Sequence, residues 1–112
     1  KNSNPFSAQM SQLEHNLDGL PGGDLVRRGL EDLAAGRASE YALLVLLAKP
    51  RLAALGLAIP EPHEPVQGMV SHALYDYLCE HSGDDAFSRY NSLLRRITSF
   101  ARALEQEQSR IR

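Results

Sequence analysis

Phe6, Met10, Leu13, Leu17 and Leu20 recur at alternating steps of four and three, the spacing of one apolar stripe on a helix. Ser7 is placed to cap that helix, and Pro21-Gly22-Gly23 to end it. Asp24 is the expected cap of a second helix, which buries Leu25 or Val26, Leu30 and Leu33 and closes at Gly36. Gly29 inside it costs about 1 kcal/mol relative to alanine unless another backbone comes close there. Ser39 and Glu40 open a third helix over residues 41–48, apolar on every side and therefore expected to be the most buried. Pro50 cannot continue it without losing a hydrogen bond. A break is predicted near Lys49, then a short turn or helix over 50–55 and a stop at Gly56.

Three prolines between Pro60 and Pro65 forbid a helix and favour an extended crossover over residues 58–65. Pro65 suits the first turn of a fourth helix over 66–81, with Met69, Val70, Ala73, Leu74, Tyr77 and Leu78 on its apolar face. Ser82-Gly83-Asp84-Asp85 reads as a stop followed by helix-starting acids. In the last helix Phe87, Tyr90, Leu94, Ile97, Ala101, Leu104, Gln108 and Ile111 form one stripe, widened by Leu93 and Phe100. Run from Asp85 to Arg112, it spans about 42 Å, longer than the roughly 34 Å diameter of a spherical domain of this size. Residues 105–112 are therefore expected to overhang or fray.

Composition narrows the fold class. Leu and Ala number 31, whereas Val, Ile and Thr number 8, so helix formers dominate and a large sheet is excluded. At 112 residues the chain holds one core. The longest apolar run, Ala42 to Ala48, falls far short of the ~20 residues of a membrane span. No signal-peptide pattern opens the chain and a lone cysteine makes no internal disulfide; both fit a reducing cytoplasm. Net charge is −2 but divides unevenly. Residues 1–86 carry 6 basic against 12 acidic side chains, and residues 87–112 carry 6 against 2. The two parts can attract each other within the fold or steer a charged partner.

Few constellations suggest chemistry. Cys79 shares a helical face with His72, Tyr75 and Asp76, but His72 lies about 10.5 Å away along the axis, too far to serve as its base. The residue reads as a small, partly buried hydrophobe. His72 and Asp76 at i, i+4 could supply two metal ligands, with His63, His81 or Glu80 as further candidates, although an exposed His–Asp pair explains the spacing as well. Asp84-Asp85 sits where caps belong. Pro21-Gly22-Gly23-Asp24 lacks the spacing of a phosphate loop, and Ser71, Ser82 and Ser88 lack a nucleophile context. Arg89, Arg95, Arg96 and Arg102, joined by Arg110 and Arg112, form a basic flank with Asn91, Ser92 and Ser99 beside it, as on a nucleic-acid recognition helix.

These readings converge on an all-α single domain of about five helices in an irregular or orthogonal bundle. A helical half (6–57) is joined by the proline-rich crossover (58–65) to an antiparallel hairpin (66–112) with a long last helix. The expected function is non-enzymatic, with no cofactor and no membrane: protein–protein contact, including homodimerisation through Arg95, Arg102, Leu104, Gln108 and Ile111. The alternatives are a nucleic-acid-binding regulator using the arginine flank and, more weakly, a metal-dependent enzyme or sensor around His72, Asp76 and His81.

Overall fold

Helix α1 (Gly23–Ala35), α2 (Glu40–Leu47), α3 (Lys49–Ala54), α4 (Val70–Ser82) and α5 (Ala86–Ile111) follow one another in a computed structural model that describes Leu17 and residues 19–111, with side chains to Ser109. A 3-10 turn, Gly83–Asp85, joins α4 to α5. Among the described residues there is no strand. The expected first helix lies outside them except at its end, where Leu17 is buried and Leu20 packs on the core.

The second stripe buries as its spacing predicts: Leu25, Val26, Leu30 and Leu33 all enter the core. Its start differs. Gly22, in the left-handed region, is the N-cap and makes no side-chain cap, while Asp24 sits in the first turn and reaches Arg96 at 3.5 Å. A stronger join comes at the other end. Asp32 accepts from Ser39 Oγ at 2.6 Å, and that same hydroxyl oxygen caps α2 by accepting from the Ala42 amide at 3.0 Å. The helix that is apolar all round touches α1, α3, α4 and α5, and buries Ala42, Leu44 and Val45. Pro50 falls in the first turn of α3, where its missing N–H costs nothing, so the break comes at Ala48.

The fourth helix begins later than expected. Gly68 takes φ +70° and Met69 is extended, so Pro65 lies in the crossover and α4 opens only at Val70. Met69 therefore leaves the apolar face assigned to it and is 62% exposed. Leu74 and Leu78 remain buried.

The long helix has its buried face centred on Ala86, Leu93, Ile97, Phe100 and Ala101. Phe87, expected inside, is 65% exposed, and Tyr90 and Leu94 only edge the core. Nor does residue 105 begin an overhang. The body is elongated, 46 × 31 × 20 Å rather than spherical, and side chains near the end of α5 reach α3 and the turn after it. Arg51 pairs with Glu105 at 3.3 Å, and the Gln108 amide donates to the Leu55 carbonyl.

Candidate interaction surface

Among the described residues three large apolar side chains stand out of the surface: Met69, Tyr75 and Phe87. Tyr75 and Phe87 share one side of the α4–α5 pair. Tyr75 and Tyr90 meet edge to face with centroids 5.6 Å apart, the geometry their ring quadrupoles favour. Phe87 stands beside them around a shallow depression of about 350 Å³, floored by Ser71, His72 and Asp76. His72 and Asp76 also line the neighbouring depression, which holds Met69 and Leu43, so these two polar side chains stand between Met69 and the aromatic groups. Cys79 is exposed on the same helix, which corrects its reading as a partly buried hydrophobe. Its thiol, by charge and by hydrogen bonding, pushes the Tyr75 phenol above its ordinary value.

The arginine flank splits into two sets. Arg89 pairs with Glu40, donates to the Tyr41 hydroxyl at 3.3 Å, and is held charged chiefly by the Glu40 hydrogen bond. Arg96 reaches Asp24. Both therefore tie the basic helix to the acidic body. Arg95 and Arg102 make no ion pair among the described residues and are exposed on the outer crest of α5. Asp76, Glu80, Asp84 and Asp85 at the hairpin end likewise make none. Unmatched acids thus lie on α4 and in the turn before α5, and unmatched arginines farther along α5.

Of the other residues singled out, Leu104 is half-buried against its own core, and Gln108 is engaged with Leu55. The Ile111, Arg110 and Arg112 side chains lie outside the described residues. His81 stacks on Tyr77 with centroids 4.0 Å apart and bonds the Tyr77 carbonyl through Nδ1 at 2.8 Å, so it is engaged one turn back and not with His72. His63 packs over Gly36, at the rim of a cleft of about 290 Å³ walled by Leu33, Leu43, Leu46 and Val66. Among the described residues no three His, Cys, Asp or Glu side chains converge on a metal site.

Phe87 and Met69 are the residues that the stripe arithmetic misplaced. The signal for Phe87 was present. The steps Ala86, Leu93, Ile97, Phe100 and Leu104 of seven, four, three and four fit one helical face better, and they leave Phe87 about 100° away from Ala86. No described helix is long and apolar enough to cross a membrane. No family model, curated protein or solved structure matches this chain.

Proposed function

We propose that this chain is a non-enzymatic docking protein, a small irregular helical bundle whose α4–α5 antiparallel hairpin binds a second copy of itself through the exposed side of α5 that carries Phe87. The supporting observation is the 65% exposure of Phe87 on a helix whose own core is already filled by Leu93, Ile97 and Phe100. Exposed aromatic groups of this size are what a protein partner covers. The unmatched acids at the hairpin end and the unmatched arginines farther along α5 supply complementary charge for a second copy, and with it a reason to favour self-docking. A reducing compartment such as the cytoplasm keeps exposed Cys79 a thiol in this reading.

Among the described residues the flank has two arginines without an ion pair, Arg95 and Arg102, which neutralise about two phosphates, a salt slope near −2 and a weak, sequence-independent contact at physiological salt. The aromatic edge has no role in such a complex, whereas self-docking uses both features.

Burying Phe87 contributes about 1.5–3 kcal/mol per copy against an association cost of 4–15 kcal/mol, so the expected dimer is weak. Sedimentation equilibrium from about 10 to 500 micromolar, the range where such interfaces populate, is the test. Mass rising with concentration for the intact chain, and constant monomer mass for Phe87→Ser with an unchanged melting curve, supports the reading. A monomer throughout refutes it.

A further inference from the structure

The outer crest of α5 and the turn before it carry an ordered row: Asp84, Phe87, Asn91, Arg95, Thr98 and Arg102. Three residues per turn of the 3-10 segment place Asp84 beneath Phe87, and steps of four, four, three and four carry the row along α5. All six are exposed or half-exposed. The row is chemically polarised, with acid and aromatic at its start and arginine at its end. From Ala86 to Leu104 the helix contains no acid at all.

Resting on the self-docking reading above, we infer that two copies pack these crests antiparallel about a two-fold axis, with Asp84 of each copy facing Arg102 of the other. A parallel arrangement sets arginine on arginine and acid on acid; only the reversed direction pairs the unlike ends, and it does so twice because a two-fold interface is self-complementary. Asp84 and Arg102 are 18 residues apart, about five helical turns and about 27 Å, so the pairs fall at the two ends of one seam.

The same register settles where the aromatic ring goes. With Asp84 level with Arg102, the midpoint is residue 93 and Phe87 stands level with Ser99 of the second copy. It enters the hole framed by Arg95, Thr98, Ser99 and Arg102, the i, i+3, i+4, i+7 set that receives a knob in helix packing. Arginine stems cover the ring while their heads stay in water, and their charge favours its face. Asn91 comes level with Arg95 across the axis, polar on polar. One register therefore pairs Arg102 with Asp84 and seats Phe87, while Arg95 meets Asn91 and lends its stem to cover the ring.

Charge reversal tests the register separately from the docking itself. Arg102→Glu and Asp84→Lys should each weaken the dimer by about tenfold or more, as two like-charge contacts replace two ion pairs. The double variant should recover to within about threefold of the intact chain, because the two reversals restore both pairs. A monomeric intact chain means that self-docking is wrong. A dimer that is lost with Phe87→Ser but ignores both reversals, or is not rescued by the double variant, means that docking holds and this register does not.

Cross-linking gives a second reading should a reversal disturb folding. In a Cys79→Ser background, Asp84→Cys mixed with Arg102→Cys should form the mixed disulfide on mild oxidation. Arg102→Cys alone should stay uncoupled, since the two copies of that position lie at opposite ends of the seam. Coupling of Arg102→Cys to itself instead of to Asp84→Cys overturns the antiparallel arrangement.

Discussion

Gly29 of α1 lies against the backbone of Tyr41 in α2: a methyl group there would stand 2.5 Å from the Tyr41 carbonyl oxygen and overlap Val45 as well. On an exposed helix, alanine in place of glycine stabilises by about 1 kcal/mol. Here the obstacle is backbone, which cannot rotate aside, so the overlap forces the two helices apart. Gly29→Ala is expected to destabilise the fold by about 1–3 kcal/mol, the usual cost of overpacking, measured by urea denaturation. A stabilised variant would show that α1 and α2 cross less closely.

Asp32 gives stability a defined acid dependence. The Ser39 hydroxyl, ahead of the Arg37 guanidinium, holds its carboxyl below the ordinary value of 3.8, although partial burial opposes the shift. A carboxyl whose folded value is depressed adds stability that is fully present above the unfolded value. That stability is lost as pH falls through the lower folded one. The stability difference between the intact chain and Asp32→Asn should therefore be level from neutral pH down to about 5 and should shrink below 4. A difference that grows toward acid pH contradicts the assignment.

The Arg89–Glu40 pair joins α5 to the start of α2, and the Glu40 side chain is only 15% exposed. Arg89→Ala leaves that carboxylate half-buried without its guanidinium and is expected to cost about 1–3 kcal/mol in thermal or urea melts. Arg95→Ala, which breaks no ion pair among the described residues, should change stability by less than about 0.5 kcal/mol. Equal effects at the two positions would mean that Arg89 is as solvated as Arg95.

How far the sequence revealed the molecule depends on how local each determinant is. Helices with a stripe, a cap and a breaker were legible: Ser39 caps α2, Ala48 ends it ahead of Pro50, and Leu25, Val26, Leu30 and Leu33 bury together. The errors lie where tertiary geometry chooses between equally periodic options. The α5 stripe permits a face centred on Leu94 or one centred on Leu93 and Phe100; contact with α2 and α4 selects the second and turns Phe87 outward. Gly68 delays α4 by a turn and exposes Met69, an effect that Pro65 concealed. The charge imbalance was visible, but which arginines are consumed internally depends on where Glu40 and Asp24 fall.

Exposure of Cys79 predicts ready chemistry with solvent reagents and little structural role. In the folded protein its thiol should react with a disulfide reagent at a rate close to that of the urea-unfolded chain. Cys79→Ser should shift stability by less than about 0.5 kcal/mol. Protection by more than about a hundredfold, the signature of a thiol reached only through unfolding, would restore the buried reading.

The end of α5 is the place where stability and association separate. Leu104 is half-buried on the core, Gln108 donates to the Leu55 carbonyl, and Glu105 meets Arg51 where both side chains are largely solvated. Truncation after Ala103 removes all three contacts. The leucine contributes about 1 kcal/mol for partial burial, the hydrogen bond about 1, and the exposed ion pair less than 0.5. The shortened chain should therefore be less stable by about 2 kcal/mol, with α3 and the Leu55 turn losing amide protection first. Its self-association should persist, because Asp84, Phe87, Arg95 and Arg102 all remain. Hydrogen exchange across residues 49–57, read beside sedimentation of the same sample, distinguishes the two effects. A truncated chain of undiminished stability that no longer dimerises would place the seam at the end of α5, not on the crest around Phe87.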